Sequence, residues 1–132
     1  MIFNRKDAEA VVQIMREVAL AEILPCWRNL PPGAVRFKTS IHDIVTDADV
    51  AAELAITTKL RERFPGATIV GEEATAADPA LLDRLAGADL AFIVDPIDGT
   101  KNFSAGLPLF GVIIGVDMAG VAAPPGSVGV TV

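Results

Sequence analysis

The chain has 132 residues, 52% of them hydrophobic, and a formal net charge of −6. That length suits one domain with a real core, and a mean hydropathy of +0.47 excludes a disordered chain. The acidic balance argues against a nucleic-acid partner, whose phosphates need Lys and Arg surfaces, while a single Cys26 and a single His42 exclude an internal disulfide and argue against a Cys/His zinc site.

Arg5, Lys6, Asp7 and Glu9 lack the basic-then-apolar layout of a signal peptide, and no apolar run reaches bilayer length. A soluble cytoplasmic protein without a membrane partner is therefore the expectation. Asn4 is placed to cap a helix, with Asp7 and Glu9 at its positive end. Val11, Ile14, Val18 and Ala21 recur at helical spacing and predict an amphipathic helix that stops near Pro25. Cys26 and Trp27 read as packing residues, Pro31-Pro32-Gly33 as a loop, and residues 35–38 as a short strand.

The polar stretch from Lys38 to Asp49 leads into a second helix, from about Ala48 to Phe64, with an apolar stripe of Val50, Leu54, Ile56, Leu60 and Phe64. Glu53 falls in that stripe, one turn after Asp49. A carboxylate there is costly unless it is paired or bound. Two readings stay open: an ion pair, with Lys38 as a candidate partner, or support for a metal cluster.

Phe64-Pro65-Gly66 ends the helix, and residues 68–70 form a brief strand running into Gly71-Glu72-Glu73. Residues 74–79 read as a mobile loop and 79–85 as a short helix capped by Asp78. Leu90 to Val94 is a buried strand with Asp95 at its C-terminal end, after which Pro96 and Gly99 bend the chain sharply. Residues 110–117 are another strand, 118–120 its turn, and 121–123 the start of a partner strand. Pro124-Pro125-Gly126 stops that partner, and residues 127–132 are a weak alternating fragment, so the return strand of the hairpin is expected to be barely present. Residues 1–123 thus read as one α/β unit and 124–132 as an aberrant or truncated tail.

Asp49, Glu72, Asp95 and Asp98 are the candidate chemistry. Two like charges 4 Å apart repel by about 4 kcal/mol at an effective dielectric near 20, so such a set calls for protons or cations. Oxygen ligands without His or Cys select magnesium, manganese or calcium over zinc, and the Ile97 carbonyl could join them. Two such ions can activate water against a phosphate ester with no nucleophilic side chain. The N–H groups of Gly99 and Thr100, if they open a helix, would hold phosphate oxygens, and the Thr100 hydroxyl could orient the water. Phosphatases with an aspartyl nucleophile use Asp-x-Asp, whereas Pro96 and Ile97 separate the aspartates here. An EF-hand needs a longer acid ladder ending in Glu.

Asp43-Ile44-Val45-Thr46 with Asp49, then Gly71-Glu72-Glu73, then Asp95-Pro96-Ile97-Asp98-Gly99-Thr100 closely resemble the motifs of the inositol monophosphatase family, over a span from the first helix to Gly120. The resemblance implies a layered α/β sandwich of the inositol monophosphatase/fructose bisphosphatase type. It also implies hydrolysis of a small phosphorylated metabolite with magnesium or manganese, lithium sensitivity, and homodimers. By the same resemblance Glu72, Asp95, Asp98 and the Ile97 carbonyl are metal ligands. Asp49 and Thr100 position or activate the water, with Glu72 beside them in the catalytic set. Gly99, Thr100 and Lys38 meet the phosphate. Family chains continue for about another domain-half, which carries a Trp-Asp motif completing the second metal site. This sequence departs from the pattern at Pro124-Pro125-Gly126. The expectation is a truncated member with weak magnesium binding, little or no phosphatase activity, and one apolar sheet face left exposed.

Overall fold

Asn4 opens the first helix in the computed structural model, which describes residues 3–38 and 44–119 and the backbone of residues 126–131. Its side chain accepts the Lys6 and Asp7 amides at 2.8 and 3.1 Å, and Asp7 accepts the Asn4 amide in return at 3.0 Å. Three otherwise unpaired donors are satisfied by this reciprocal cap. Helix α1 (Arg5–Val18) then passes into a π-helical turn at Ala19–Ile23 and a 3-10 turn at Leu24–Cys26 that holds Pro25. The wider π turn changes the predicted face. Ala21 turns outward, while Ala19 and Ile23 are buried. Trp27 and Cys26 do pack against the core, with the Trp27 ring 6.1 Å from Phe110.

Strands β1 (Val35–Phe37) and β2 (Ile44–Thr46) form a two-stranded antiparallel sheet. His42 and Asp43, between them, lie outside the described residues. Thr46 caps α2 (Asp47–Arg63), again reciprocally with the residue three positions on, Asp49. The inward stripe of α2 is Ala48, Ala52, Ile56 and Leu60, followed by Phe64. Val50 and Leu54, expected in that stripe, are 44% and 67% exposed. Small alanines let the helix axis approach the sheet, so the larger residues at the neighbouring positions turn outward.

The main sheet has the order β3 (Thr68–Gly71), β4 (Leu90–Asp98), β5 (Gly111–Met118), β6 (Gly126–Thr131). Its first pair is parallel and the others are antiparallel. The β3-to-β4 crossover contains α3 (Glu72–Ala77) and a 3-10 turn at Pro79–Leu85 that Asp78 caps as predicted. Helix α3 replaces the mobile loop expected at residues 74–79. The return strand also differs from expectation. β6 runs beside β5 over six residue pairs, from Gly126 opposite Val116 to Thr131 opposite Gly111. Pro124 and Pro125 precede the strand and so remove no ladder donor from it. The predicted start of a partner strand at 121–123 lies outside the described residues.

Period-two alternation sends Leu90, Phe92 and Val94 of β4 and Val112, Ile114 and Val116 of β5 into the core, with Val11, Met15 and Val18 of α1 and the buried stripe of α2. Phe64 and Phe92 meet there at 5.0 Å between ring centroids. The opposite face carries Ile93 and Ile113, which help line an apolar groove of about 370 Å³. Among the described residues no helix is long and apolar enough to cross a membrane.

Candidate active site

The parallel pair β3–β4 brings its two C-terminal ends side by side, with Gly71 in register with Val94. Glu72 leaves β3 one residue after that pair, and Asp95 follows it on β4. Beyond Asp95 the β4–β5 register shifts, at the proline that can give no ladder hydrogen bond, and pairing resumes at Asp98. Gly99 then adopts φ +89°, and a side chain there would approach the Leu109 carbonyl at 2.8 Å. That left-handed turn starts α4 (Thr100–Ser104), as the sequence suggested.

A cavity of about 230 Å³ results, lined by Lys38, Glu72, Asp95, Ile97, Asp98, Gly99 and Thr100. Of the candidate site residues read from sequence, only Asp49 is not in the wall. It sits fully buried behind it, where Oδ1 accepts the Thr100 hydroxyl at 2.8 Å. Its Oδ2 accepts the Thr46 amide at 2.8 Å and the Thr46 hydroxyl at 2.5 Å. Burial nonetheless raises the Asp49 pKa, against these hydrogen bonds. Ile44 and Lys101 complete the lining. Lys101 was not foreseen, although its position directly after the Gly99-Thr100 turn marks it. Ile44 belongs to the Asp43-Ile44-Val45-Thr46 motif, where only its neighbourhood, not its own side chain, pointed to the site.

Lys38 lies 3.5 Å from Glu72 Oε1 and 3.1 Å from Glu73 Oε2. Burial pushes Glu73 up to about 6 even so, and Lys38 only moderates the rise. Glu53, for which an ion pair and metal support were both open, has a third partner. Its two oxygens accept the Glu73 amide at 2.7 Å and the Ala74 amide at 2.9 Å, capping α3. A Cβ on Gly71 would overlap the Glu53 carboxylate, so the glycine is what admits it. Burial raises the Glu53 pKa as well.

Asp95 is the most perturbed group. It is pushed up to about 8, first by burial and then by Glu72, with Asp98 and Asp49 adding repulsion. Its Oδ1 is buried without a hydrogen-bond partner. An orphaned carboxylate oxygen facing a second carboxylate, with the Ile97 carbonyl in the same wall, fits one hard divalent cation. Magnesium in particular is often held by one or two carboxylates, with water and phosphate completing its shell. A larger cluster is not assembled: among the described residues, no three His, Cys, Asp or Glu side chains converge to hold a metal ion. Lys38 draws on Glu72, and both Asp49 oxygens are occupied by threonine donors.

The sequence pattern of the inositol monophosphatase family matches residues 6–123, most of the chain. The chain belongs to the inositol monophosphatase family. It is 38% identical over 89 residues to the inositol-1-monophosphatase SuhB of Mycobacterium tuberculosis, a match covering 67% of this chain and 30% of that protein. The Nus factor SuhB of Haemophilus influenzae is 41% identical over 76 residues, covering 58% and 26% respectively. Among solved structures, the Thermotoga maritima IMPase superposes with a TM-score of 0.66 at 31% identity, covering 88% of this chain and 40% of that one. The mixed α/β architecture with open sheets is therefore that of the inositol monophosphatase fold, and the chain spans about 30% of the length of the curated relatives it matches.

Proposed function

We propose that this chain binds one magnesium or manganese ion and a small phosphate monoester, as one half of an inositol monophosphatase-type catalytic centre, and that by itself it turns substrate over weakly or not at all. The observation that carries the reading is Asp95 Oδ1, buried, unpartnered and set beside Glu72 in a cavity that Thr100 and Gly99 close. Glu72, Asp95 and the Ile97 carbonyl would hold the ion, with Asp98 at the exposed rim. The chemistry such an ion supplies is polarisation of a phosphoryl oxygen and acidification of nearby water. Asp49, acting through the Thr100 hydroxyl, would orient the attacking water and hold its proton. The amides of Gly99 and Thr100, with the Lys38 ammonium, would take the phosphate oxygens.

Two-ion hydrolysis is the fuller family reading. The one-ion reading is favoured because no third carboxylate converges on Glu72 and Asp95 among the described residues. A cytoplasmic, homodimeric setting with a small-metabolite partner and no nucleic acid belongs to the same proposal. The test is a manganese titration by electron paramagnetic resonance, followed by phosphate release from inositol, histidinol and nucleotide monoesters. Saturable binding of one ion with negligible release supports the reading. Rapid release would replace it with full catalysis, and absence of binding would defeat both.

A further inference from the structure

Helix α2 carries two carboxylates one turn apart on its inward side, Asp49 and Glu53, and each reaches a different wall of the cavity. Asp49 holds Thr100, on the α4 side. Glu53 holds the first turn of α3, whose first residue is Glu72. We infer that Glu53 is a positioning residue, which fixes Glu72 opposite Asp95 by capping α3 with both of its oxygens.

The geometry leaves this carboxylate little other purpose. It is buried, and it spends its oxygens on two backbone donors rather than on solvent. A buried acid also costs free energy that plain packing at this position would avoid. Gly71 sits between the two partners with φ −96° and ψ 150°, a conformation open to any residue. Its lack of a side chain therefore answers to space alone: a Cβ would displace the Glu53 carboxylate. Two residues in different elements are thus shaped around one contact, and the residue between Gly71 and the capped amides is Glu72. Groups that orient a metal ligand commonly alter affinity when replaced, although they never touch the ion.

This inference rests on the metal-site reading above, and its test separates the two. Glu53→Gln keeps the volume but turns an amide donor toward a backbone donor, and Gly71→Ala pushes the carboxylate away with Glu53 intact. Manganese affinity is measured by electron paramagnetic resonance well below each melting temperature, and amide hydrogen exchange is followed at Glu73 and Ala74. Ile56→Val, in the core of α2, controls for general loss of stability. The expected result is about a 10-fold or greater weakening of manganese binding in both cap variants, with faster exchange at the two amides and unchanged affinity in the control. Affinity at the wild-type level in both cap variants would overturn the positioning role while leaving the site reading intact. Equal weakening in Ile56→Val would overturn it too, by showing a merely structural effect. A wild-type chain that binds no manganese would defeat the site reading first, and this inference with it.

Discussion

Thr100 donates its hydroxyl proton to Asp49 Oδ1 across 2.8 Å, joining residues 51 positions apart and tying the start of α4 to the start of α2. The same hydroxyl lies 2.9 Å from the Ile97 carbonyl. The hydroxyl proton is shared between the two acceptors, and it leans toward Asp49 when that carboxylate is ionised. The Ile97 carbonyl oxygen keeps a second lone pair beyond this contact. Thr100→Val keeps the shape but strands an oxygen of a buried carboxylate, so it should cost about 1–3 kcal/mol. Urea unfolding measures this. Adding Asp49→Asn should cost less than the sum of the two single changes, because both variants break one contact.

Asp95 supplies a pH dependence whose sign can be worked out. In the folded chain it holds its proton up to about 8, through burial first and Glu72 next. In the unfolded chain an aspartate releases it near pH ~3.9. Between these limits the folded state binds a proton that the unfolded state lacks, so stability falls as pH rises. Glu73, pushed up to about 6, acts with the same sign in the lower part of that window. The metal-free chain should therefore melt at a lower temperature at pH 8 than at pH 5. Asp95→Asn should flatten the slope above pH 6, and magnesium should raise the melting temperature at pH 8 in the wild type alone. A melting temperature that climbs from pH 5 to pH 8 would contradict this origin.

The cavity wall was legible where it is local. A strand end, a proline and a glycine within Val94 to Thr100 set that turn almost without tertiary help, and the family motifs lie along it. Glu53 was legible only as an anomaly. Its partners are backbone amides of α3, and a backbone donor leaves no mark in a sequence. The same missing cap made residues 74–79 look mobile. Val50 and Leu54 misled for a different reason: their spacing signals a helix correctly, but the face that docks was chosen by Ala48 and Ala52. In the tail, the two prolines outweighed the alternation of Val128 and Val130, which pair opposite Ile114 and Val112.

Lys38 faces both Glu72 and Glu73, and its charge should be readable in the titration of Glu73. The ammonium favours the ionised form of Glu73 and partly offsets the effect of burial. Replacing it by an apolar side chain of similar length removes that offset. Lys38→Met should therefore move the Glu73 midpoint above its starting value of about 6, followed through the side-chain carboxyl carbon by NMR. A downward movement would mean that Lys38 does not act on Glu73 as an opposing charge.

Gly99 and Gly87 separate two costs that usually arrive together. Both have positive φ, +89° and +80°, where a side chain is strained by about 1 kcal/mol or more. At Gly87 a Cβ would meet nothing within 4 Å, so strain is the whole cost. At Gly99 the Cβ would also press on the Leu109 carbonyl at 2.8 Å, with the Phe110 backbone in contact at 3.4 Å. Backbone atoms of a neighbouring strand entry do not yield as a flexible side chain does. Gly87→Ala should thus cost about 1 kcal/mol, and Gly99→Ala roughly 1–3 kcal/mol beyond that. Because Gly99 places Thr100, the second variant should also lose manganese affinity while the first keeps it. Equal stability losses in the two variants would show that the Leu109 carbonyl moves aside, and that the turn is held by backbone conformation alone.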